Sequence, residues 1–135
     1  MGFFLFSKEG MCNFVRMDLE FHITQSFDND IKSLSEDRRN KITDEINLVS
    51  GSLLNGRTAF MDKASMPHIF NLKGGLDSSL YLVKVDDEKK MVVTVDDDPI
   101  FDKVSLTLFR LINDGDAEQV YKEVGEQLYK SIGLL

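Results

Sequence analysis

The alternation of apolar and polar residues begins at Met17. Leu19, Phe21 and Ile23 alternate with Glu20 and His22, the period-two pattern of a half-buried strand. The period then changes. Phe27, Ile31 and Leu34 fall at i, i+4 and i+7, which predicts a short helix that Thr24 or Ser26 can cap. Ser35 breaks the run and can cap a second helix. In it Ile42, Ile46, Val49 and Leu53 keep the helical spacing, while Glu36, Asp37, Arg38, Arg39 and Lys41 supply a solvated face. Asn55-Gly56 is a suitable C-terminal stop. With so short a link, the two segments are expected to form a helical hairpin.

Residues 57–67 carry no clear period and read as a loop ending at Pro67. Four strands are expected after it, over 68–72, 79–85, 90–95 and 104–112. Gly74-Gly75-Leu76-Asp77 and Asp86-Asp87-Glu88-Lys89 mark tight turns, and Asp96-Asp97-Asp98-Pro99 a longer one. Strands joined this closely predict an antiparallel meander. A last helix follows. Ala117, Val120, Tyr121, Val124 and Leu128 share one face, and Asp116 with Gln119 fits a capping box. Strand, helix, helix, strands and helix in that order make an α+β fold, the helices grouped against an antiparallel sheet.

A chain of 135 residues with 42% hydrophobic content suits one domain with a real core. Residues 17–135 read as that domain and residues 1–16 as an appendage of different character. Its Phe3-Phe4-Leu5-Phe6 run stops at Lys8 and Glu9. A secretory segment needs roughly 7 to 15 apolar residues and a membrane helix about 20, so the protein is expected to be cytoplasmic. The single cysteine, Cys12, excludes an internal disulfide and a cysteine zinc cluster.

Charge changes the functional picture. The net charge is −7. The appendage holds Lys8 and Arg16 against Glu9, so the remainder carries one more negative charge than the whole, −8. Affinity for nucleic acid comes largely from Lys and Arg displacing counterions, so such a chain needs a local basic patch to hold RNA. A basic protein partner fits the global charge better. Asp96, Asp97, Asp98 and Asp102 form the densest carboxylate cluster, but Pro99 interrupts it and its spacing is not that of a calcium loop. It reads as a solvated turn. His22 and His68 lack a third partner at metal-ligand spacing. No cofactor and no metal is expected.

The ordered set of segments resembles the RelE/ParE superfamily of bacterial toxins over roughly 17–130. Leu72-Lys73-Gly74 matches a step before the second hairpin. The strand from Ser79 through Tyr81 to Val85, the strand Lys90 to Val95, the apolar Leu108 to Ile112 and the pair Val120-Tyr121 follow in the family's order. The helix from Phe27 to Leu34 is also family-like. The resemblance implies one component of a type II toxin–antitoxin system, neutralised by a cognate antitoxin. RelE-type members cut mRNA on the ribosome without metal, by attack of a ribose 2′-hydroxyl on the adjacent phosphate, and so inhibit translation. Carried over by position, Lys84 matches a catalytic lysine, Lys90 stands where the next strand places an arginine, and Tyr121 matches a tyrosine that stacks on a base or joins the proton transfers. Two positions depart from the pattern. Leu82 replaces a second lysine, and Asn113-Asp114-Gly115-Asp116 stands where an arginine is expected, placing negative charge near a site for phosphate. The alternative is a non-catalytic protein-binding relative, either an inactivated toxin or a ParE-like binder of a target such as gyrase. A nuclease should gather Lys63, Lys73, Lys84, Lys90 and Arg110 on one concave face. A binder should scatter them, and the antitoxin contact is expected at exposed apolar residues of the last helix.

Overall fold

The structure, a computed structural model, describes residues 18–135. The appendage over 1–16, Cys12 and Met17 lie outside the described residues. The elements are β1 (Asp18–Ile23), α1 (Gln25–Lys32), α2 (Glu36–Gly51), α3 (Thr58–Lys63), β2 (Ala64–Ser65), β3 (Leu80–Lys84), β4 (Lys89–Asp98), β5 (Lys103–Asn113) and α4 (Ala117–Ser131). They build one five-stranded sheet in the order β1-β5-β4-β3-β2. Strands β2 to β5 are antiparallel to their neighbours, and β1 joins parallel to β5 at the far edge. The expected α+β architecture is therefore observed. No helix among the described residues is long and apolar enough to cross a membrane.

Side-chain alternation gives the sheet two buried faces. Val83, Val93, Val104, Leu106 and Leu108 point to one side, where Phe27 and Ile31 of α1, Ile42 and Ile46 of α2, and Phe60 of α3 cover them. Leu80, Leu82, Val92 and Ile112 point to the other, under Tyr121 and Tyr129 of α4. The helix starts follow the sequence. The Thr24 hydroxyl accepts the Phe27 N–H at 3.1 Å and the Ser35 hydroxyl accepts that of Arg38 at 3.3 Å. Gly56, at φ 89°, ends the helical run after α2.

Four expectations need correction. Residues 57–67 are not a plain loop, because they contain α3 and β2. A six-residue helix is too short to show a period, yet Phe60 within it is fully buried and meets the Tyr81 ring edge-on at 6.2 Å. The first strand of the meander is Ala64–Ser65, paired with Val83 and Leu82, and not 68–72. Residues 68–72 run as irregular extended chain, with Phe70 buried and Ile69 exposed. Asp96, Asp97 and Asp98 are the end of β4, and the turn is Pro99 to Asp102. The capping box at Asp116 does not form. The chain enters α4 through a 3-10 turn over Asp114–Asp116, Asp116 makes no side-chain cap bond, and Gln119 instead donates to Glu123.

Strand β5 outruns its parallel neighbour. β1 pairs only as far as Leu108, and a bulge opposite Val92 and Val93 leaves Phe109 without a partner on β4. The α1 segment completes this edge. The Thr24 N–H donates to Leu108 O at 3.2 Å, and its hydroxyl to Phe109 O at 3.0 Å. The Asp30 carboxylate then accepts the Leu111 N–H at 2.9 Å. Backbone groups that a longer β1 would have satisfied are met by a cap residue and an acid.

Candidate functional site

The β3–β4 hairpin places Lys84 directly opposite Lys90. Like charges facing each other across a strand pair repel, so each recruits an acid. Lys84 Nζ lies 3.5 Å from Asp87, and Lys90 Nζ lies 2.9 Å from Asp114. Lys63, at the end of α3, joins them around a depression of about 470 Å³ that Asp62, Ser65 and Leu82 also line. Lys63 makes no ion pair among the described residues. Three of the five cations expected to collect on one face thus do so. The hairpin supplies two of them, and the short α3–β2 unit, which the sequence pattern did not reveal, supplies the third.

Arg110 is elsewhere. Its Nε and Nη2 grip the Asp30 carboxylate at 2.8 and 3.2 Å. That hydrogen-bonded pairing raises the guanidinium further above its already high range, against the effect of burial. Lys73 sits at a turn whose backbone N–H donates to Leu134 O at 2.8 Å, and it does not line the depression.

Tyr121 lies on the same sheet face as the two strand lysines but inside the core. It is fully buried, and its hydroxyl donates to Leu80 O at 2.7 Å. Burial pushes its pKa up to about 12, with Tyr129 and Tyr81 adding to the effect. Phe70 packs beside its ring at 5.8 Å. This placement fits a core tyrosine with a satisfied hydroxyl, and it separates Tyr121 from the lysine depression. Tyr121→Phe is expected to cost about 1 kcal/mol of stability through the lost hydrogen bond. Thermal melting beside an activity assay checks this. A large loss of activity in a variant that melts near the wild type would contradict the structural role.

The other candidates are occupied. His22 pairs with Glu20 at 3.1 Å, and His68 packs edge-on against Phe70 at 4.7 Å. Asp97 pairs with Arg57, and Asp98 accepts the N–H groups of Ile100 and Phe101. Among the described residues no group of three His, Cys, Asp or Glu is placed to hold a metal ion. On the side of the lysine hairpin away from the depression, Arg38 of α2 bonds Asp86 and Glu88, both at 2.8 Å. Burial works against the Asp86 charge, but the Glu88 and Lys89 N–H groups and Arg38 together hold its carboxyl below the usual range. The turn that carries Lys84 and Lys90 is therefore fastened to the helical layer.

Sequence reasoning missed Asp30, Asp87 and Asp114 as partners. A signal existed for two of them. An arginine in an apolar strand calls for an acid, and Asp114 stands where phosphate-binding charge was expected.

No protein-family model matches the sequence, and no curated protein matches it. Among solved structures, the chain is similar to a chain of the E. coli DinJ-YafQ toxin–antitoxin complex, with 14% identity and a TM-score of 0.41 over 75% of this chain and 96% of that one. It is also similar to the YoeB dimer from Staphylococcus aureus, with 18% identity and a TM-score of 0.38 over 69% of this chain and 93% of that one.

Proposed function

We propose that this chain is a RelE/ParE-like toxin component that engages mRNA at the ribosome and inhibits translation, with a cognate antitoxin as its neutralising partner. The observation that carries the reading is the facing pair Lys84 and Lys90, with Lys63 beside them around one depression. The order strand, helix, helix, antiparallel strands, helix agrees with what the resemblance implies. Cleavage would proceed by attack of a ribose 2′-hydroxyl on the neighbouring phosphorus, its proton passing to solvent water as the 2′-O–P bond forms and the bond to the 5′-oxygen breaks. Ammonium groups on both sides of the phosphate would stabilise its growing charge, and one could protonate the leaving oxygen.

A second reading is a binding protein without nuclease activity, such as an inactivated relative or a ParE-like binder of a protein target. Two observations favour it. Tyr121 is sealed in the core, and Arg110 is committed to Asp30.

The test is inducible expression in a bacterial host, following growth and cleavage of ribosome-bound transcripts together. Wild type is compared with Lys84→Ala, Lys90→Ala and Tyr121→Phe. The nuclease reading expects arrest with cleavage, with each lysine change slowing cleavage on the order of a hundredfold or more and Tyr121→Phe close to wild type. Arrest without cleavage would move the conclusion to the binding reading. The absence of both arrest and cleavage would remove the toxin assignment.

A further inference from the structure

Strand β4 reads Lys89-Lys90-Met91-Val92-Val93-Thr94-Val95-Asp96-Asp97-Asp98, basic at one end and acidic at the other. The acidic end leads into the turn Pro99-Ile100-Phe101-Asp102, where Ile100 is 84% and Phe101 70% exposed. Singly exposed apolar side chains are ordinary on a protein surface, whereas these two lie side by side and form one contiguous apolar tip, the kind of surface that contact sites use. This turn is also held in shape. Asp98 accepts both the Ile100 and the Phe101 N–H at 3.2 Å, and Asp102 O accepts the Asp18 N–H at 3.1 Å. The apolar pair thus stands on a fixed support, and a contact there loses little conformational entropy.

We infer that the β4–β5 turn is a docking tip for a basic protein surface with an apolar pocket, and that on the ribosome this surface belongs to a ribosomal protein. The inference rests on the proposed engagement of mRNA there. Charge selects the partner. Asp96, Asp98 and Asp102 surround the tip without an ion pair among the described residues, whereas Asp97 is answered by Arg57. Carboxylates beside the contact repel RNA phosphates and a second copy of this acidic chain, and they attract Lys and Arg. Lys90 and Asp98 are roughly 25 Å apart along the strand, so the lysines and the tip can act together. A particle that displays RNA phosphate beside basic protein matches both ends of β4. Two linked contacts of this kind hold more tightly than either alone.

The test uses the full chain and purified 70S ribosomes. Co-sedimentation is measured for wild type and for the Ile100→Ser/Phe101→Ser double variant. Both side chains are solvent-exposed, so the variant should melt like wild type. A photoreactive benzoylphenylalanine placed at position 101 reports the neighbour. The inference expects at least a tenfold loss of ribosome affinity in the double variant and a crosslink from position 101 to a ribosomal protein. Unchanged affinity would overturn the docking tip while leaving the proposed function standing. So would a crosslink to ribosomal RNA, to residues 1–17 of the same chain or to a second copy. Failure of the wild type to bind ribosomes at all would overturn both.

Discussion

Phe70→Ala should destabilise the protein by about 3–5 kcal/mol, the cost of emptying an aromatic site in a packed core. The size of the effect is unexpected for a residue outside any regular element. Its ring is only 8% exposed and packs against Tyr121 at 5.8 Å, Tyr129 at 5.4 Å and His68 at 4.7 Å. It also abuts the backbone of α4 at Gly125. A methyl group there would overlap the ring edge, with Cε2 only 2.6 Å away. Gly125→Ala therefore sets two effects against each other. Alanine favours a helix interior by about 1 kcal/mol over glycine, while overpacking costs about 1–3 kcal/mol. The clash should win as long as Phe70 stays in place. In the Phe70→Ala background the clash is gone, and Gly125→Ala should become neutral or stabilising. A double-mutant cycle by urea denaturation reads this directly. Additive effects of the two changes would show that the ring does not fill the notch.

The same residue marks the limit of what the sequence discloses. The strand at 79–85, the hairpin after it and the long β5 were legible as apolar, β-branched runs bounded by Gly- and Asp-rich turns, although only β5 alternates in burial. Helices α1 and α2 were legible from their spacing and from Thr24 and Ser35 as caps. Residues 57–72 were not. The short apolar stretch in His68-Ile69-Phe70-Asn71-Leu72 imitates a strand, but the β3 edge it would have joined is taken by Ala64–Ser65. Phe70 instead satisfies its hydrophobicity against a helix. Two residues of strand and six of helix lie below the length at which a period can be recognised. The candidate site divides in the same way. Lys84 and Lys90 were singled out through the family resemblance, and their facing register came only with the structure. Lys63 was named as a cation to look for, but its place beside them depends on α3. The acids were harder still. Asp30 and Arg110 lie 80 positions apart, a separation that no local pattern bridges.

Asp30 carries the other large effect, and its consequence is asymmetric. Its carboxylate takes the Arg110 fork and the Leu111 N–H together, with its side chain only 18% exposed. Asp30→Ala removes every one of those acceptors. It leaves a guanidinium without its counter-charge and a strand N–H without a partner beyond the end of β1. Hydrogen bonds involving charged groups contribute about 1.5–3 kcal/mol each in shielded sites, but the Arg110 side chain is 36% exposed and water recovers part of that. The expected loss is about 2–3 kcal/mol, roughly a 6–15 °C fall in melting temperature for a domain of this size. Asp30→Asn should lose only about half as much, because its amide oxygen still accepts the Leu111 N–H. Arg110→Ala should be the mildest, since it leaves Asp30 bonded to the backbone and partly solvated. With both residues removed, the loss should fall short of the sum by 1 kcal/mol or so, the energy of their interaction. Thermal melts of the four variants give the order. If Arg110→Ala proved as damaging as Asp30→Ala, the ion pair itself would be the source of stability. The predicted order instead assigns Asp30 the task of closing the β5 edge, with Arg110 holding the carboxylate in position to do it.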